Sequence, residues 1–267
     1  MPRGKTLFVK DALLVSLSPP RVVEGHLRVE GGKIVETGPR VGIRSGDQVV
    51  DRWGKPVLPG FVLEPFVLPG SLQDGGRRAL DREEIAPRAT LALLEALSCG
   101  VTAVSLVAPA PRPGEDGLEE FDRAFRASGL KGVVVEGTLE GKPEAACPDP
   151  TERLRIAAAR AEGDRAWDPI RVLAQGYAWV RERLGFPLGA LDPGAPADLV
   201  LLDYVPADPV REENLGEHLL AIASRHVEGV MIDGRLLYRR REPVFPVDRD
   251  ECVALLARGT ARISPRA

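Results

Sequence analysis

Histidine, cysteine, lysine and asparagine are all scarce in this chain. Three cysteines, Cys99, Cys147 and Cys252, stand far apart in 267 residues. They form no C-x-x-C pair and no disulfide framework, a usage that suits a reducing cytoplasm. Long apolar runs are missing too. The opening segment "MPRGKTLFVKDALLVSLSPP" has only short apolar stretches, broken by Lys10 and Asp11. That is neither a secretory signal nor a membrane span, so the expected location is the cytoplasm. Excess charge of one sign is absent as well. Thirty-six basic and 39 acidic residues leave a net charge of −3, which gives no field to gather nucleic acid or an anionic membrane. No G-x-G-x-x-G, P-loop or G-x-S-x-G pattern occurs, and Ser71, Ser98 and Ser105 have no histidine partner in sequence context. Lysine appears six times against 30 arginines, and Asn214 is the single asparagine. Such a bias, with many prolines, is that of a thermophile or of a GC-rich genome.

What is present falls into three zones. Residues 5 to 58 read as β: "TLFVKDALLVS", "EGHLRVEGGKIVETG" and "QVVDRWGKPVLPG" alternate apolar and polar positions between glycines. Gly31-Gly32 predicts a two-residue hairpin turn, because both glycines tolerate positive φ. In the middle, "EIAPRATLALLEALSCG" and "GLEEFDRAFRASG" have helical spacing, while "VTAVSLVAP" and "LKGVVVEGTL" read as strands. Helix and strand in alternation is the pattern of parallel βα units. Two more helices follow: "DPTERLRIAAARAEG", with Asp149 or Thr151 as cap, and "DPIRVLAQGYAWVRERLG", leaving at Gly185. β structure then returns in "ADLVLLDYVP" and in "EGVMIDGRLLYRRRE", a hairpin about Asp233-Gly234. The last segment, from 248 to 267, is read as a short helix and tail.

Neither β end makes a complete sheet alone, so the two are expected to join. The fold class read from the sequence is α/β. A discontinuous β-sandwich of residues 1–60 and 186–247 carries an inserted βα domain of residues 61–185.

Specific wording supports a resemblance. "EGHLRVEGGKIVETGP…VVDRWGKPVLPGFV" resembles the N-terminal segment of the metal-dependent amidohydrolases. "LGALDPGAPADLVLLDYVPADPVREENLGEHLL…VEGVMIDGRLLYR" resembles their C-terminal return, with the spaced Gly-x-Leu-x-Pro-Gly-x-x-Ala-Asp-Leu-Val of residues 189 to 200 its most specific piece. The nearest branch is that of the chlorohydrolases and the cytosine and guanine deaminases. The resemblance implies a (βα)8 barrel whose first strand ends in a His-x-His pair. It also implies further ligands from later strands, and an aspartate that acts on a metal-bound water.

At each alignable position this sequence departs from that pattern. After "PGF" the His-x-His pair falls on Pro65 and Val67, neither of which has a donor atom. "SLVAP" follows "GVTAV" where relatives place histidines. The insert of about 125 residues compares with some 200 or more for a full barrel. The three histidines, His26, His218 and His226, all lie in the matched β segments or their connection. The resulting expectation is a truncated barrel without the metal site, with neither cofactor nor catalytic residue assigned.

A remnant pocket is sketched from Glu64, Phe66, Asp74, Arg77 and Arg78. Glu64 follows the first strand of the insert, and either points into that pocket or serves as a salt-bridge carboxylate. Asp74 with the adjoining "GGRR" reads as an anion-binding turn or as a solvated one. Cys99 ends a helix, whose negative pole would raise a thiol's pKa, so it reads as packed rather than nucleophilic. A sheet opened from a barrel leaves unpaired edges and an apolar inner face. That face is expected to be covered by the chain's own helices, by a second copy in a homo-oligomer, or by a full-length amidohydrolase partner. Three functions follow: binding or assembly without hydrolysis, hydrolysis of non-peptide carbon–nitrogen bonds, and small-molecule sensing.

Overall fold

The structure, a computed structural model, describes residues 6–68, 82–108, 118–136, 143–161, 164, 166–185, 187–222, 224–240, 242–245 and 247–261. Five strands come first: β1 (Leu7–Leu17), β2 (Pro20–Glu30), β3 (Lys33–Gly38), β4 (Gln48–Asp51) and β5 (Pro56–Pro59). The middle holds β6 (Phe61–Val67), α1 (Arg82–Ser98), β7 (Val101–Ala108), α2 (Leu118–Ser128) and β8 (Lys131–Glu136). A 3-10 turn (Pro143–Ala146) leads from there to α3 (Pro150–Arg160) and α4 (Pro169–Leu184). The chain closes with β9 (Leu199–Leu202), α5 (Leu215–Ala221), β10 (Val227–Ile232), β11 (Arg235–Arg239), β12 (Glu242–Pro243) and α6 (Arg249–Ala261). The protein is a mixed α/β molecule with two sheets and six α-helices among the described residues.

Both ends of the chain do enter one sheet. Nine strands run in the order β12-β11-β10-β9-β5-β1-β2-β3, with β4 beside β1. The join is the antiparallel pair β5–β9, in which Val57 faces Leu201 and Leu58 faces Val200. Both glycine-containing turns form as their residue types dictate. Gly31 and Gly32 have φ of +57° and +82°, while Asp233 and Gly234 have +47° and +69°. The two turns touch: a Cβ on Gly32 would stand 2.9 Å from Asp233 O, so that position admits only glycine. Ile34 N–H donates to Ala195 O at 2.9 Å, and Ala197 N–H to Gly32 O at 2.8 Å, which binds the first hairpin to the approach of β9. The strand ends therefore form one continuous hydrogen-bonded sheet, not two separate ones.

The second sheet is parallel, in the order β6-β7-β8. Its crossovers pass through α1 and α2, which pack on each other and on β7 and β8. Right-handed connection puts both helices on one face. Alternating residues of β7 point to opposite faces, yet Val101 through Val107 are all buried. The second face is therefore covered too, and α4 covers it, lying on β6 and β8 with α3 and α5 alongside. The chain's own helices thus pack on this sheet.

Local signals account for these helices. Asp149 caps α3, its carboxylate accepting from Thr151 N and Glu152 N, with Pro150 in the first turn. Asp168 caps α4, and Gly185 ends it at φ +74°. Leu173, Tyr177 and Val180 form the buried stripe of α4.

Candidate functional site

In "VLPGFVLEPFVLPGSL" the first turn residue is dictated by packing. A Cβ on Gly60 would lie 2.0 Å from Thr102 Oγ1, so only glycine lets the chain pass from β5 to β6 beside β7. Phe61 N–H then donates to Gly100 O at 3.0 Å, which opens the ladder to β7. The pairing skips between Leu63 and Phe66, so that Phe66 faces Leu106 and Val67 faces Val107.

Pro65 and Val67, the two positions where the resemblance places metal ligands, both lie in this last stretch of β6. Val67 is 4% exposed and packs with Val107 and Ala145. Pro65 offers only its carbonyl, and Arg153 takes it: Nη1 donates to Pro65 O at 2.7 Å, Nε to Cys147 O at 2.7 Å and Nη2 to Ala145 O at 2.5 Å. The guanidinium also lies 5.6 Å over the Phe66 ring. Arg153 thus fastens the end of β6 to α3 and to the segment before it.

Beside this clasp is a pocket of about 240 Å³ between β6, α3 and α4, lined by Val62, Glu64, Pro65, Leu154, Leu173 and Gly176 among others. Glu64 is half-buried on its wall. Phe66 is fully buried in the main apolar cluster, paired with Leu106 beyond the skip, and is not among the residues that line this pocket. Asp74, Arg77 and Arg78 lie outside the described residues.

One further side chain shapes the edge of β6. The Tyr177 hydroxyl donates to Gly60 O at 3.1 Å from a fully buried position. Burial pushes its pKa well above the ordinary phenol value, so it stays a neutral donor. Tyr177 and Arg153 were not singled out from the sequence. For Tyr177 a signal existed, since a hydroxyl within a buried apolar helix stripe needs a partner. For Arg153, one of 30 arginines, no such signal exists.

The donors a zinc-type site requires are elsewhere. His26 Nδ1 accepts from Asp11 N–H at 3.0 Å, and its ring stacks on Phe8. His218 Nδ1 lies 3.0 Å from the Tyr204 hydroxyl, and the His226 ring stands edge-on to the same tyrosine. Among the described residues no group of three or more His, Cys, Asp or Glu side chains converges as metal ligands. Pro65 and Val67, at the strand end, carry no side-chain donor and do not fit a metal. Burial raises the Cys147 thiol above its usual value, and its sulfur lies 3.6 Å from Asp149 O, so it is held as the thiol. Cys99 is buried. No helix of the described residues is long and apolar enough to cross a membrane.

Comparison with known proteins places the fold. No family model matches the chain. A 5'-deoxyadenosine deaminase of Methanobrevibacter smithii is 37% identical over 57 residues, 21% of this chain but only 13% of that protein's length. Solved structures align over nearly the whole chain. A triazine hydrolase variant has a TM-score of 0.69 at 14% identity, covering 98% of this chain and 100% of that one. A zinc-bound adenosine deaminase from Xanthomonas campestris has 0.64 at 16%, covering 96% and 98%. The zinc complex of an atrazine chlorohydrolase from Arthrobacter aurescens has 0.63 at 14%, covering 94% and 99%. These structural neighbours are amidohydrolases, and this chain has their fold. At such identities the likeness is one of fold.

Proposed function

We propose that this chain is an amidohydrolase-like protein that has lost metal-dependent hydrolysis and acts by binding or assembly. In this reading the β6-β7-β8 unit is a truncated barrel, inserted into a composite β domain built from both ends of the chain. One observation carries it: the positions that should present imidazoles are Pro65 and Val67, and the second is packed under Ala145 as core. Covering of that strand face by α3 and α4 adds support, since a helix layer lies where a barrel has its interior. The partner in assembly is a second copy or a full-length amidohydrolase. Sedimentation of the purified chain distinguishes the first from a monomer.

The rival reading is a hydrolase of non-peptide carbon–nitrogen bonds, favoured by the deaminase match. It requires ligands from outside the described residues or from a partner. The deciding test is turnover of a chlorinated triazine and of 5'-deoxyadenosine, with and without added zinc. The expected result is no release of chloride or ammonia above the protein-free rate. Release proportional to protein concentration would restore the hydrolase reading.

A further inference from the structure

The most specific wording of the sequence, from Gly189 to Gly194, has no part in the pocket beside β6. It builds a wall elsewhere. Gly189 O accepts from Leu17 N–H at 2.7 Å and from Ser18 N–H at 2.9 Å, and Gly194 N–H donates to Ile34 O at 2.7 Å. The segment is thus pinned at both ends against the nine-stranded sheet. Beside it runs the β1–β2 ladder, in which Leu14 pairs with Val23 and Ser16 with Arg21. Alternation along a strand puts these four side chains on one face. A pocket of about 300 Å³ lies between that face and the pinned segment, with Leu14, Val23, Leu191 and Pro193 as its apolar lining. At the solvent side Arg21 and Asp192 form an ion pair of 2.5 Å, each about half exposed.

One polar group inside is only half used. Ser16 is 3% exposed, and its Oγ accepts from Leu191 N–H at 3.1 Å. A hydroxyl also carries a proton to donate, and the Ser16 O–H has no acceptor among the described residues. A buried donor left unmade is unfavourable, so the pocket favours an occupant that accepts from it. We propose that this pocket binds a small, neutral molecule with an acceptor oxygen on a hydrocarbon body, a cyclic ketone being the simplest. The Ser16 O–H donates to the carbonyl oxygen, and the ring lies against Leu14, Val23 and Leu191. The ion pair at the mouth selects against charge: a carboxylate meets Asp192, an ammonium meets Arg21, and either competes with the pair. This site belongs to the nine-stranded sheet, goes beyond the reading above, and holds whether or not hydrolysis is lost.

The test titrates the full chain, labelled with ¹⁵N, with cyclohexanone. The expected result is a saturable, millimolar shift of the Leu191 amide resonance, whose N–H is the one Ser16 accepts. Cyclohexene, a ring of the same size without the oxygen, should bind about tenfold more weakly, the worth of one hydrogen bond. In Ser16→Ala that preference should vanish. Val23→Phe, at a half-buried strand position, fills the pocket and should abolish the shift. Absence of a saturable shift in the unaltered chain, equal binding of the two rings to it, or a shift that survives Val23→Phe would overturn the site. The comparison of the two rings on the unaltered chain decides the matter even where a variant fails to fold.

Discussion

The two sheets treat buried polarity in opposite ways. In the nine-stranded sheet, charged side chains are buried in ion pairs. Arg28, with no exposed surface, meets Glu36 at 2.8 Å and Asp47 at 2.5 Å, and lies 5.2 Å over the Phe8 ring. Asp198, from the Ala-Asp-Leu-Val segment, accepts from Lys131 at 2.9 Å and 3.0 Å and from Asp233 N–H at 2.9 Å. In the parallel sheet the buried strand residues carry no charge, Thr102 and Ser105 of β7 being the polar ones, and Pro65 and Val67 stand where the resemblance implies metal ligands. On the proposed reading, polar residues are kept where they hold the fold together and replaced where they would hold a metal. A metal site is costly to the fold unless it is loaded, because its donors are buried without partners. A structural ion pair carries its partner with it.

The sharpest way to break this contrast is to unpair Asp198. Lys131→Met leaves a buried carboxylate without its cation and is expected to cost about 3–5 kcal/mol in urea unfolding. The pH dependence has a defined sign. Burial, partly offset by Lys131, holds the Asp198 carboxyl above its ordinary value. The native state therefore binds this proton more tightly than the unfolded state. The resulting contribution to stability is present below the ordinary carboxylate range and is lost as pH rises through the raised value. Lys131→Met should steepen that loss between mildly acid and neutral pH, and a flat profile would count against a buried, ionisable Asp198.

On the apolar side, Phe66→Ala removes a fully buried ring from the core and should cost about 3–5 kcal/mol by thermal or chemical unfolding. A loss under about 1 kcal/mol would mean that Phe66 lines an open pocket, as its place in the sequence suggested. Restoring the imidazole pair by Pro65→His with Val67→His sharpens the contrast further. The second imidazole enters the Val67–Val107–Ala145 cluster and should cost about 1–3 kcal/mol without creating tight zinc binding. Zinc-dependent stabilisation of that double variant would show that the strand end still faces a site. The smallest effect belongs to Asp149→Ala, which removes the cap of α3 and should cost about 1 kcal/mol. Because α3 carries Arg153, that variant should also loosen the end of β6, visible as faster amide exchange there.

Much of this architecture is legible in the sequence, for local reasons. Gly31-Gly32 and Asp233-Gly234 fix two hairpins through positive φ, and Asp149, Asp168 and Gly185 fix helix ends. The absence of donors at Pro65 and Val67 can be read directly from the residue types. Less legible is what packs against the end of β6. That α4 lies on β6 depends on a stripe of Leu173, Tyr177 and Val180 choosing one apolar face among several, and residue type does not encode that choice. Phe66 lies in the core beyond a skip in strand pairing, which leaves no mark in the sequence. Asp198 was read as part of a family segment; its partner Lys131, 67 residues away, emerges only when the two sheets are brought together.

The central claim is that the end of β6 no longer holds a metal, and metal content tests it most directly. Untagged protein, purified without chelators, would be measured for zinc, iron, manganese and nickel before and after soaking in zinc and dialysis. The account predicts metal well below one per chain in both samples. Near-stoichiometric metal that survives dialysis would contradict it.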